Sequence, residues 1–284
     1  RKHMQAFVDR FRYKADKAKQ AQSRIKALAR MKPITRPQEA ALRAFTFPEP
    51  EELSPPIINL EGGITGYGDT QVLSKLNLRI DQDDRIALLG KNGQGKSTLS
   101  KLLSDRLALM AGKMTKSSKL RIGYFAQHQV DELHLDETPL QHLQRERTEA
   151  APPKLRAQLA GFGLMAAQAE TEVGRLSGGQ KARLLMLLAA WDAPHVLVLD
   201  EPTNHLDIES REALAQALAE YEGAVILISH DRHLVEACAD RLWLVANGGV
   251  SSFEGDMEDY RRLPFTSKEE LSTDQLQHPP YGRN

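Results

Sequence analysis

The sequence predicts an α/β domain, and three observations carry that prediction. Short apolar runs at Arg85–Leu89, His195–Leu199 and Ala224–Ile228 read as buried strands. Helix-favouring stretches from about Lys96, and over Gly179–Ala190, Ile208–Glu220 and Arg232–Cys238, alternate with them. A glycine-rich loop joins the first of these strands to the first of these helices.

The chain has 284 residues and ordinary hydrophobic and charged fractions, enough for a sizeable core. Its one cysteine, Cys238, excludes an internal disulfide and any multi-cysteine metal site, and fits a reducing compartment. The most apolar stretch, Leu184–Trp191, is far shorter than the roughly 20 residues that span a bilayer, so no membrane insertion is expected. The chain opens at Arg1 without a secretory signal and inside a helical pattern, which reads as a fragment or a processed product.

The formal net charge is zero, but residues 1–32 hold eleven Lys and Arg against only Asp9 and Asp16. This basic arm lacks Pro and Gly. Phe7 and Phe11, then Ile25, Leu28 and Met31, give each half a narrow apolar stripe. A helical hairpin that breaks near Tyr13–Lys17 and one continuous helix fit that pattern equally well. Such an arm favours phosphate-rich partners. Residues 33–56 carry six prolines and read as an extended linker. The compact domain is expected over 57–263, and the polar segment 264–284 is expected to be disordered.

Three motifs carry chemistry. Gly90-Lys91-Asn92-Gly93-Gln94-Gly95-Lys96-Ser97 fits G-x-x-x-x-G-K-[ST], the P-loop, between a strand and a helix. Glycines let backbone N–H groups turn toward phosphate oxygens, and the helix N-terminus adds positive potential. Lys96 would reach the outer phosphates and Ser97 would hold Mg²⁺. Val196-Leu197-Val198-Leu199-Asp200-Glu201 is an apolar strand ending in two acids. Asp200 would assist Mg²⁺, and Glu201 would act as general base toward water. Leu176-Ser177-Gly178-Gly179-Gln180 opens a helix, with Ser177 placed as an N-cap and the glycine amides placed for a phosphate.

With this pentapeptide the sequence resembles the ABC ATPase superfamily, a P-loop NTPase core with a helical signature subdomain. The resemblance implies ATP and Mg²⁺ as ligands. It assigns Gly90, Asn92, Gly93, Gly95, Lys96, Ser97 and Thr98 to the nucleotide phosphates, and Ser177, Gly178, Gly179 and Gln180 to the nucleotide of a facing domain. Gln127, in Tyr124-Phe125-Ala126-Gln127, resembles the glutamine that senses Mg²⁺ and water. His230, in Ile228-Ser229-His230-Asp231, resembles the switch histidine at the γ-phosphate. Tyr67 resembles the adenine-stacking aromatic, with an ordinary turn tyrosine as the rival reading. Asp207 resembles the acid linking two sites, and it also suits the cap of the helix beginning at Ile208. In such proteins ATP lies between the P-loop of one domain and the signature of another, so a second ABC domain is implied.

Glu201-Pro202-Thr203-Asn204-His205-Leu206-Asp207 carries Asn-His where transporter domains more often have small residues, and so resembles the soluble ABC-F subfamily. The basic arm and proline-rich linker resemble the end of the ABC-F interdomain linker. That likeness implies a cytoplasmic translation factor whose arm, residues 1–32, meets the ribosome and tRNA. The alternatives are the ATPase subunit of a membrane transporter and a non-catalytic ATP-binding module, and the intact Lys96, Glu201 and His230 argue against the latter.

Overall fold

The computed structural model describes residues 45–263. The calls on the arm over 1–32 and the tail over 264–284 lie outside them, as does the first half of the proline-rich linker, residues 33–44. Two sheets organise the described residues. A six-stranded sheet runs in the order β5 (Ile122–Ala126), β6 (Val196–Asp200), β7 (Ala224–Ile228), β3 (Arg85–Leu89), β8 (Arg241–Ala246), β9 (Gly249–Phe253). Its pairs are parallel except the terminal β8–β9 hairpin. A separate antiparallel sheet has the order β2 (Thr70–Ile80), β1 (Ile58–Tyr67), β4 (Leu109–Lys116).

The central strands β3, β6 and β7 of the large sheet are apolar on both sides because both faces are covered. Along β6, Leu197 and Leu199 join one core cluster, while Val196 and Val198 join the other. Val225 and Leu227 of β7 divide from Ala224, Ile226 and Ile228 in the same way, as the period-two geometry of a strand requires. The first cluster holds α5 (Gly178–Ala190), α6 (Ile208–Glu220) and the helices of the segment between β5 and β6, α2 (Pro139–Glu146), α3 (Pro152–Gly161) and the single turn α4 (Ala166–Ala169). The second holds α1 (Lys96–Leu103) and the antiparallel sheet.

Helix starts follow local chemistry. Ser177 caps α5, Asp207 caps α6 and Asp231 caps α7 (Arg232–Cys238), each side chain accepting from a backbone N–H three residues on. Thr138 caps α2, with Pro139 in the first turn where its missing N–H costs nothing. The structure shifts one expected strand by a residue, from His195–Leu199 to Val196–Asp200. The ladder runs through the acid, since Asp200 pairs in register with Ala126 and Ile228.

Residues 45–56 form no helix or strand, yet they are docked. Phe45 is buried and meets the ring of Phe162 edge-on at 6.1 Å. Phe47 packs on Phe162 at 5.5 Å and on Tyr221 at 5.7 Å. The Thr46 amide donates to Gly161 O, and the Arg183 guanidinium lies 5.0 Å from the Phe45 ring centre. Among the described residues no helix is long and apolar enough to cross a membrane.

Candidate functional site

The loop after β3 is shaped by steric need. Gly90 has φ 140°, and a Cβ there would lie 2.3 Å from the Val245 carbonyl oxygen on β8. Gly95 caps α1 with φ 99°. Neither position suits an L side chain. The loop therefore crosses tightly from strand to helix, as phosphate-binding loops do. Asn92 is exposed on that loop, Gly93 has φ 81°, and Thr98 is buried on α1.

Lys96 is buried beneath the loop. Its Nζ donates to Gly90 O at 2.7 Å and to Lys91 O at 3.0 Å. Burial pulls its pKa below the ordinary lysine value, and the carboxylates of Glu201 and Asp200 oppose that shift. Ser97 Oγ donates to Asp200 Oδ2 at 3.0 Å, which joins the P-loop to the end of β6. Burial raises the Asp200 pKa, while the Ser97 hydrogen bond holds it down. A hydroxyl beside a partly buried carboxylate is a set of hard oxygen donors, and it fits Mg²⁺, which takes few protein ligands and keeps waters.

Glu201 follows Asp200 with φ 53°, a costly conformation for a non-glycine residue, and its N–H is tied to Ile228 O at 2.8 Å. Its carboxylate accepts from the His230 backbone N–H at 3.4 Å and lies 3.5 Å from His230 Nε2. Burial raises the Glu201 pKa above the usual carboxylate value, and the adjacent His230 opposes this. The two residues sit at the ends of neighbouring parallel strands, β6 and β7.

Gln127 begins the 3₁₀ turn Gln127–Glu132 after β5. Its Oε1 accepts from Asn204 Nδ2 at 2.5 Å, and its Nε2 is 3.0 Å from His205 Nε2. Gln127, Asp200, Glu201 and His205 together line a cavity of about 420 Å³. Asp207 Oδ1 accepts from Ser210 N at 2.7 Å, and its hydrogen bonds to Ser210 lower its pKa. Tyr67 is 47% exposed, with Lys101 Nζ 5.7 Å from its ring centre, so much of the ring surface stays open.

The signature lies against the turn after β6. Ser177 Oγ accepts from Gln180 N at 3.3 Å, and Gln180 Oε1 accepts from Ser177 N at 2.9 Å, a reciprocal capping box. Gly178 and Gly179 abut His205: a Cβ on Gly178 would be 3.1 Å from His205 Cβ, and one on Gly179 2.9 Å from His205 O. The structure thus gathers Lys96, Ser97, Asp200, Glu201 and His230 as one set and places Ser177–Gln180 against the turn after β6. Sequence reasoning gave no site role to Asn204 and His205, although Asn-His stands out in the motif. It had no signal at all for Tyr260 on α8 (Met257–Arg262), whose hydroxyl accepts from the Gly90 amide at 3.0 Å.

A family model described as ABC transporter matches residues 73–204, and a second with the same description matches residues 1–47. The chain is 47% identical over 274 residues to the probable ATP-binding protein YheS of Escherichia coli K12, covering 96% of this chain and 43% of that protein. It is 41% identical over 265 residues to ABC transporter F family member 3 of Arabidopsis thaliana, covering 93% and 37%. It is 39% identical over 262 residues to Protein GCN20 of Saccharomyces cerevisiae, covering 92% and 35%. The chain therefore spans less than half the length of these relatives. Among solved structures, the dimeric ATP-binding cassette MJ0796 bound to ADP and Pi superposes with a TM-score of 0.59 at 21% identity. That match covers 70% of this chain and 99% of that one, and it supports the fold.

Proposed function

The chain belongs to the ABC-F family of ATP-binding cassette proteins, and from that premise we propose that it binds ATP with Mg²⁺ and hydrolyses it in a composite site completed by a second ABC domain. The observation that carries this reading is the junction of Lys96 and Ser97 with Asp200 and Glu201. The loop amides and Lys96 bind and orient the phosphates. Ser97, Asp200 and Gln127 would hold Mg²⁺, which supplies Lewis-acid polarisation of phosphate oxygens. Glu201 takes a proton from the attacking water as its oxygen bonds to the γ-phosphorus; the bond to the bridging oxygen breaks and its electron pair leaves with ADP. His230 steadies the Glu201 carboxylate and offers a hydrogen bond toward the γ-phosphate. Tyr67 lends a face to adenine, and Asp207 lies at the start of α6 for the facing domain.

Half a site on each surface makes turnover depend on association. Monomeric protein binds ATP and hydrolyses it slowly, and specific activity rises with concentration or with the second cassette supplied. Specific activity that stays constant through dilution well below any dimer constant refutes the composite site.

We further propose that the whole protein acts in the cytoplasm on the ribosome, with residues 1–32 touching ribosomal RNA and tRNA. Their eleven Lys and Arg suit recognition of RNA by shape and backbone charge. The test is ribosome co-sedimentation with ATP across a salt series. ATP-dependent binding that weakens steeply with salt is expected; binding indifferent to both, or none, overturns this reading.

A further inference from the structure

Gln127 has two amide atoms, and both are claimed by one turn. Asn204 donates to its Oε1, and His205 Nε2 stands at its Nε2. The pattern is self-consistent: Asn204 gives a proton, Gln127 passes one on, and His205 accepts through an unprotonated Nε2. An amide oriented by only one partner could turn over and exchange oxygen for nitrogen. Two partners of opposite character fix it.

The turn is built to hold that arrangement. His205 has φ 68°, a conformation a residue with a Cβ keeps only when its surroundings demand it. On one side Leu206 is buried, and its amide donates to Thr203 O at 3.1 Å. On the other, Gly178 and Gly179 approach His205 closely: a Cβ on Gly179 would lie 2.9 Å from His205 O, and one on Gly178 3.1 Å from His205 Cβ. The backbone and Cβ of His205 are thereby held against the start of α5. His205 touches both the glutamine of its own half-site and the signature glycines that would serve the facing one.

We propose that Asn204 and His205 are positioning residues for Gln127, fixing which amide atom it turns toward the cavity shared with Asp200 and Glu201. This rests on the ATPase reading above. Small residues at both positions leave the glutamine free to rotate. A carboxylate in place of Asn204 does more: it can only accept, so it pulls the Gln127 Nε2 toward itself and reverses the amide.

The test uses the complete protein with its second ABC domain and three variants, Asn204→Asp, His205→Ala and His205→Gln. Both positions are away from the core, and thermal melts should match wild type. The phosphate loop is untouched, so ATP affinity without Mg²⁺ should stay within about twofold, while kcat falls about tenfold in Asn204→Asp and His205→Ala, as expected for one or two lost hydrogen bonds. His205→Gln restores an acceptor and should recover most of kcat. Independently of turnover, equilibrium binding of a fluorescent ATP analogue with and without Mg²⁺ should show that Mg²⁺ tightens binding several-fold less in Asn204→Asp than in wild type. Variants that keep wild-type kcat and wild-type Mg²⁺ dependence overturn the proposal, as does equal loss in His205→Ala and His205→Gln. A wild-type protein without turnover refutes the ATPase reading instead.

Discussion

Replacing Glu201 with Gln removes one proton acceptor and little else. The side chain keeps its length, and an amide oxygen can still accept from the His230 N–H, now 3.4 Å from the carboxylate. The left-handed backbone at Glu201 is tied by the Ile228 carbonyl rather than by the carboxylate, so the turn should persist. Loss of a general base costs roughly 10²–10⁴-fold in kcat, or about 2.7–5.5 kcal/mol of barrier. ATP affinity should be retained, because Lys96 and the loop amides are unchanged. Single-turnover phosphate release, run beside equilibrium ATP binding, separates the two effects. The pH profile adds a second check. Burial raises the Glu201 pKa, so the base form is lost as pH falls through a value above the ordinary 4.5. Wild-type kcat should carry that acid limb and Glu201→Gln should lack it. The same raised pKa fixes the sign for stability: its contribution is full below the unfolded value and is lost as pH rises through the folded one, so the Gln variant should lose less stability between acid and neutral pH. A loss under tenfold, or an unchanged acid limb in the variant, refutes the assignment of Glu201 as base.

Three further outcomes test the framework around it. Phe45→Ala opens a cavity under Arg183 and against Phe162, and should cost about 3–5 kcal/mol, read by chemical denaturation. A loss under about 1 kcal/mol would mean that the strap of residues 45–50 is not held as described. Gly90→Ala forces a Cβ to within 2.3 Å of the Val245 carbonyl oxygen, so the loop must shift and ATP binding should be lost by equilibrium titration even where circular dichroism reports a folded domain. Asp207→Ala removes the cap of α6 and should cost about 1 kcal/mol at neutral pH. Because the Ser210 hydrogen bonds lower the Asp207 pKa, that contribution is present above the unfolded pKa and disappears as pH falls through the folded value; the wild type and variant melts should converge in acid.

Local chemistry made much of the cassette legible in the sequence alone. The P-loop spacing, the apolar run ending in Asp200 and Glu201, and the caps at Ser177 and Asp207 each follow from near neighbours, and the helices 208–220 and 232–238 begin and end where propensity and capping place them. Short apolar strands could be found because a strand buried on both faces needs a continuous apolar run. The antiparallel sheet of β1, β2 and β4 was not found that way, since register shifts break the alternation in β1 and much of β4 is exposed. Three things were decided only by tertiary structure. Ser97 and Asp200 meet across 103 positions of sequence because β3 and β6 flank β7 in one sheet. Tyr260 reaches Gly90 across 170 positions, through a hydroxyl that no local pattern distinguishes. Phe45 and Phe47 look like linker residues because prolines surround them, yet their rings fill a gap between the helices of the signature side and Tyr221. Sequence patterns report what a residue does to its neighbours in the chain; which distant residue it meets is set by the order in which strands pair and layers pack.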